Sequence, residues 1–350
     1  MGAATAWQLA RRGRRVVLVD RFEAGHTRGA SHGASRIYRQ AYASARYSRL
    51  AADALPLWRE LEAETGAGLL TITGGVDHGD PVAVAQSAAV LAEHDVRHEW
   101  LDPDRAALMW PGMRFAGPVL HQPDRAGRIN ADLAVAAFTA AARSHGAQIR
   151  RPLTVTGIDV DGADLVRVRT SEGAISARRV VIAAGAWTTR LLDGLVAHPP
   201  LRVTQEQPAY FPFRDALPCV ARAEDWPSFI HHVGDGGVYG LTDPCGEVKV
   251  GLHGTGPECD PDRRTFAPEP DGLQRLQDYV ATWLPGLDAG RPTPVSCTYT
   301  STPDAEFVVE RSGPVVVGAG FSGHGFKHAP AVGQILADLA TDRTAAEVGA

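Results

Sequence analysis

Apolar residues recur along this chain in two rhythms. Near the start, Ala3, Ala6, Trp7, Leu9 and Ala10 share one face of a helix, and Gly13 stands where a helix C-cap belongs. Val16 to Val19 follow as an unbroken apolar run ended by Asp20, the pattern of a strand buried on both faces of a parallel sheet. The helical rhythm returns at Leu50, Ala54, Leu57, Trp58 and Leu61, with Pro56 expected to kink or restart that helix. A strand is expected over 69–76, a helix over 84–94, and a helix over 131–144 with Asn130 as N-cap and Gly146 closing it. Alternation then predicts a three-strand meander at 153–160, 165–170 and 174–177, turning at Asp161-Gly162 and Glu172-Gly173.

Buried-type strands come back at 180–184, before Gly185 and a short helix from Thr188, and at 314–319. The second of these leads through Gly320 to Gly325 into a helix around 331–339. Between them, 201–299 reads differently: strands at 237–241 and 247–253 with Gly/Pro turns, and one helix near 273–284. The expected fold class is therefore mixed α/β, with a nucleotide-binding domain assembled from 1–68, 140–200 and 300–350. Segments 69–139 and 201–299 would form an inserted domain built on an antiparallel sheet. A two-lobed flavoprotein has this layout, whereas a nicotinamide dehydrogenase more often keeps its nucleotide domain in one stretch.

In a dinucleotide-binding βαβ unit, an acid about 20 residues beyond the glycines accepts hydrogen bonds from the ribose hydroxyls. Asp20 lies eighteen residues after Gly2, which makes Gly2 the third glycine of G-x-G-x-x-G. The spacing predicts that the first strand and the first two glycines of the motif precede Met1.

Composition narrows the chemistry. Of 350 residues 44% are hydrophobic and 21% charged, and the formal charge is −5, so neither a basic stripe for nucleic acid nor an apolar membrane run is present. Arg11, Arg12, Arg14 and Arg15 follow the first apolar stretch rather than precede it, unlike a signal peptide. Cys219, Cys245, Cys259 and Cys297 are too few and too scattered for a disulfide framework, which points to a reducing cytoplasm. His231 and His232 are adjacent in a strand and should point to opposite faces, so no metal is expected there.

Four stretches carry more specific information: "SHGASRIYRQAY" from Ser31, "YGLTDPCGEVKVGLH" from Tyr239, "SCTYTSTPDAEF" from Ser296 and "GAGFSGHGFK" ending at Lys327. With the opening unit, they make the chain resemble the monomeric sarcosine oxidase and N-methyltryptophan oxidase family of flavoenzymes, from Gly2 to about Ala340. The resemblance implies a glutathione-reductase-like FAD domain with an inserted substrate domain, acting as a monomer. By the same likeness Cys297 carries a thioether to the flavin 8α-methyl group, a bond for which a thiolate is the suitable nucleophile. Arg39 and Lys327 hold a substrate carboxylate. Lys249 favours electron transfer to O₂ as a fixed cation. His253, Tyr239 and Tyr299 line the substrate pocket. Gly2, Asp20, His32, Arg36, Val155, Gly185, Gly320, Gly323, Phe326 and Lys327 contact the cofactor, with His32 and Arg36 beside the flavin ring.

The implied activity is oxidation of a small secondary amino acid, such as an N-methyl amino acid, to an imine with O₂ as acceptor and H₂O₂ as product. The imine hydrolyses to an aldehyde and a primary amino acid. Two alternatives remain open from residues alone. One is a truncated, non-catalytic paralogue without FAD; the other is a related imino-acid oxidase or a dehydrogenase of a biosynthetic pathway.

Overall fold

A computed structural model describes residues 1–214, 226–234 and 236–341; Cys219 lies outside the described residues. The opening helix, Gly2–Ala10, is more deeply buried than one amphipathic face requires: Ala4, Thr5, Ala6, Trp7, Gln8 and Ala10 are all covered. The cause is double packing, against the helix Ala131–Ser144 on one side and the C-terminal helix Ala329–Ala340 on the other. Gly333 makes this approach close, since a Cβ there would lie 2.8 Å from the Ala4 carbonyl carbon.

The expected N-cap is in place: Asn130 accepts a hydrogen bond from the Leu133 amide at 3.0 Å, and Gly146 follows the helix at φ +90°. Helix Ala45–Thr65 continues through Pro56 without a restart. Pro56 is on the exposed side, while Ala51, Ala54, Trp58 and Leu61 on the other side are fully buried and hold both halves of the helix in register. The strand expected over 69–76 is two strands, Leu70–Ile72 and Gly75–Gly79, in different sheets; Gly74 at φ +76° breaks it.

Val17–Val19 pairs in parallel with Gln148–Arg150, and Val180–Ile182 in parallel with Val315–Ala319. Among the described residues nothing pairs with the other edge of Val17–Val19 or of Val180–Ile182. Val17 is 40% exposed, so this strand is not buried on both faces as its apolar run suggested; one neighbour covers it rather than two. The meander is present as Val155–Val160, Val166–Thr170 and Gly173–Ala177.

An eight-stranded, mostly antiparallel sheet forms the second body, with Gly75–Gly79 and Ser228–His232 as its parallel pair. Along its central strands the two-residue period separates two faces. Val76, Phe229, Val238, Val248 and Val250 turn to an apolar core closed by Pro270–Trp283. Asp77, Ile230, His232, Tyr239 and Lys249 alternate with them and turn the other way, towards the parallel strands.

Candidate active site

Between the two bodies lies one cavity of about 2050 Å³. It is lined by Gly2, Asp20, Val155 and Gly185, by Arg36, Cys297, Lys249, Gly320 and Gly323, and by Arg39, Tyr239, His253, Tyr299, Phe326 and Lys327. Of the cofactor and substrate residues expected from sequence, His32 alone is not on this wall; it stands behind Arg36, and its main-chain oxygen accepts from Arg36 Nη2.

The loop before Arg36 is fixed by the N-terminus of the helix Ala131–Ser144. Its Ala131 and Asp132 amides each donate to the Gly33 oxygen at 3.2 Å, and the Asp132 carboxylate accepts from the Gly33 amide at 2.8 Å. Arg36 belongs to a strand, Arg36–Tyr38, not to a solvated helix face. Its guanidinium donates to the oxygens of Ala30 and Ser35 and lies 4.0 Å from Cys297 Sγ. The Cys297 side chain is buried on the edge strand Cys297–Ser301, paired with Arg202–Glu206.

Lys249 sits in the central strand Glu247–Leu252 and is only 5% exposed, far from the surface lysine its Glu-x-Lys-x-Gly alternation suggests. Burial, and then the Arg36 charge, pushes its pKa down to about 7. Among the described residues no carboxylate forms an ion pair with it; its ammonium lies 5.8 Å from the Tyr210 ring centre. His32 is lowered to about 4 by burial and by Arg36 and Lys249, so it is neutral at physiological pH.

Lys327, reached through the short turn Phe326–His328, donates to Tyr42 Oη at 2.7 Å and to the His324 oxygen at 3.0 Å. Burial, reinforced by Arg39, holds its pKa well below the usual lysine range. Arg39 stacks over the same Tyr42 ring at 4.9 Å and donates to Asp77 Oδ1 at 2.8 Å. His253 Nδ1 is 3.4 Å from Tyr299 Oη, and burial with the charges of Lys327 and Arg39 lowers its pKa to about 4. Tyr299 also hydrogen-bonds Tyr239, and burial raises both phenols above their ordinary value. Two glycines make room for these rings: a Cβ at Gly251 would lie 2.5 Å from Tyr239, and one at Gly323, which has φ +79°, would lie 2.2 Å from Tyr299.

Three residues escape a reading by sequence alone: Tyr42 and His232 on the wall, and Asp77, which binds Arg39 and His232. Tyr42 ends the quoted "SHGASRIYRQAY" stretch and could have been found there. Asp77 and His232 gave only a weak signal, charged residues in strands otherwise of buried type. The two adjacent histidines do face opposite ways, His231 stacking on His78 at 4.1 Å on the apolar side and His232 binding Asp77 on the cavity side.

The wall suits FAD. The cavity exceeds the 300–1,000 Å³ or so of an ordinary ligand pocket. The helix starting at Gly2 opens onto it with no side-chain cap on its first amides, a seat for pyrophosphate. Asp20 lies at the end of the strand Val17–Val19, where ribose hydroxyls are held.

Fold and cavity define a two-body flavin oxidoreductase, and the chain belongs to the family of DAO-type FAD-dependent oxidoreductases, whose family model matches residues 1–339. It is 32% identical to monomeric sarcosine oxidase of a Bacillus species, over 97% of this chain and 90% of that enzyme. Human peroxisomal sarcosine oxidase is 33% identical, over 98% of this chain and 90% of its own length. Among solved structures the open form of NikD, an unusual amino acid oxidase essential for nikkomycin biosynthesis, superposes with a TM-score of 0.84 at 29% identity, covering 98% of this chain and 92% of NikD.

Proposed function

We propose that this protein is an FAD-dependent oxidase of small secondary amino acids, N-methyl or cyclic, with O₂ as acceptor and H₂O₂ as product. The observation that carries the reading is that Arg39 and Lys327, both over the Tyr42 ring, and the linked pair His253 and Tyr299 line the same cavity as Lys249, Arg36 and Cys297. On this reading 1–68, 140–200 and 300–350 bind the cofactor, 69–139 and 201–299 bind the substrate, and the chain works as a monomer in the cytoplasm.

Bound FAD supplies the oxidant, taking a hydride equivalent from the carbon next to the amine and delivering two electrons to O₂. The protein does the rest. Arg39 and Lys327 take the substrate carboxylate. The substrate anion opposes the burial that lowers the Lys327 pKa and so favours its charged form. His253, neutral and linked to Tyr299, accepts a hydrogen bond from the amine without repelling it and keeps it near its uncharged, reactive form. Buried Tyr239 and Tyr299 close the pocket to water. Lys249 offers a positive charge where electrons pass to O₂, worth most in a dry site. Cys297, with Arg36 4.0 Å from its sulfur, carries the covalent bond to the flavin. The geometry favours an oxidase over a non-catalytic paralogue, since Arg36, Arg39, Lys249 and Lys327 line a large cavity that a mere structural body does not need.

The test is direct. Purified protein loaded with FAD is expected to be yellow, to hold its colour through acid precipitation, and to release peroxide from sarcosine or another N-methyl amino acid. A colourless protein that neither binds FAD nor is reduced anaerobically by any secondary amino acid refutes the reading.

A further inference from the structure

Neither the proposed reaction nor cofactor binding uses Asp77 or His232. Asp77 lies in the strand Gly75–Gly79 and is 3% exposed. Its Oδ1 accepts from Arg39 at 2.8 Å and from His232 Nε2 at 2.9 Å. A buried carboxylate is costly unless its partners are well placed, and an apolar replacement is often more stable. On the same sheet face the neighbours Ile230 and Leu241 are hydrocarbon and also line the cavity, so an ion there is not a requirement of packing. Arg39 makes its recorded hydrogen bonds through Nη1 alone, to Asp77 and to the Ala41 oxygen, which leaves Nη2 and Nε to meet a ligand. On the reading above, the guanidinium links a substrate carboxylate to Asp77, and through Asp77 to His232. The His232 ring lines the cavity. Because the Asp77 carboxylate accepts from Nε2, that nitrogen carries a proton, and Nδ1 is the ring nitrogen left for a ligand.

We propose that Arg39, Asp77 and His232 form a specificity element that selects secondary amino acids whose side chain carries a hydrogen-bond donor, an amide or a hydroxyl, accepted by His232 Nδ1. The proposal rests on the oxidase reading above and names its substrate class. A site built to hydrogen-bond a substrate group rejects the analogue that lacks it, because its own polar atom is then left unpaired in a dry pocket. Asp77 is the positioning residue: it fixes the tautomer and orientation of His232 and the pose of Arg39.

The isosteric pair N-methyl-L-asparagine and N-methyl-L-leucine tests this. The wild-type holoenzyme is expected to favour the amide in kcat/KM by at least about tenfold. In His232→Leu the ratio is expected to fall to one or invert, and in Asp77→Asn to fall while KM rises for both amines. Binding of the matching 2-methoxy acids, in which oxygen replaces the amine nitrogen, gives the same comparison by calorimetry without turnover. A wild-type ratio near one, or a ratio that persists in His232→Leu, overturns the proposal. If no amine is oxidised, the oxidase reading falls instead, and the preference between the 2-methoxy acids still decides whether His232 discriminates.

Discussion

The lysine at 249 shows what burial does to one residue. Its two-residue alternation with Glu247 and Gly251 fits a solvated edge as well as a buried wall, and only the sheet decides: strands on both sides leave it 5% exposed. With its pKa lowered to about 7, the free protein loses the Lys249 charge as pH rises through neutrality. If that charge speeds electron transfer to O₂, the reoxidation rate of the reduced enzyme falls on raising pH, at pH 7 or above it where a reduced, anionic flavin beside the ammonium shifts the limb upward. Lys249→Met is expected to slow reoxidation by a factor on the order of 10²–10³, the usual loss when one charge-stabilising group is removed, and to abolish the pH limb. Anaerobic reduction by substrate should change far less, and stopped-flow of the two half-reactions separates them. Equal losses in both would remove Lys249 from its role. The same residue marks the limit of reading a single sequence. The quoted motifs supply Arg36, Lys249, Cys297 and Lys327, and all four line one cavity. Asp77 was missed because its partners, Arg39 and His232, lie 38 and 155 positions away and nothing local announces them.

Elements were legible where the cause was local. Asn130 and Gly146 bound their helix as capping chemistry demands, and the meander turns at positive-φ glycines, Gly162 and Gly173. Misreadings came from tertiary contacts: Pro56 is tolerated because the opposite face of its helix is buried, and Val17–Val19 is half exposed because one neighbour pairs with it. The turn between Val315–Ala319 and the C-terminal helix belongs to the legible class, with a consequence. Gly323 holds φ +79° with its Cα hydrogen against the Tyr299 ring. Gly323→Ala meets two penalties, a left-handed backbone and a methyl 2.2 Å from an aromatic carbon. The turn has to give way, and it carries Lys327 four residues on. We expect a loss of roughly 1–3 kcal/mol in stability and a rise in KM for the amine, with flavin content unchanged. Gly313→Ala is the control: it also sits at positive φ, +56°, but no atom lies within 4 Å of its added methyl. Denaturant melts and steady-state kinetics on the pair check this. If Gly313→Ala raises KM as much as Gly323→Ala, the contact with Tyr299 is not what matters.

At the scale of the whole molecule, the cavity draws its walls from segments far apart in the chain. Its walls come from the opening helix, the strands Val17–Val19 and Val180–Ile182, the eight-stranded sheet and the turn before the C-terminal helix. Filling that cavity couples these parts. A ligand that binds only the folded state stabilises it by RT ln(1 + [L]/Kd), about 2.7 kcal/mol at a hundredfold excess over Kd. The cofactor-free protein should therefore unfold at a temperature that climbs with added FAD. A thioether at Cys297, as proposed above, would change the form of that dependence. Once the flavin is covalent, its effective concentration no longer depends on the solution, and the midpoint should be high and insensitive to added FAD. Cys297→Ala should restore the climb and let the colour pass to the supernatant on acid precipitation, while the cations at Arg36 and Lys249 still favour the bound flavin. Calorimetric scans of both proteins over a series of FAD concentrations distinguish the cases. A wild-type midpoint that tracks FAD as steeply as the variant's would mean that the sulfur lies near the flavin without being joined to it.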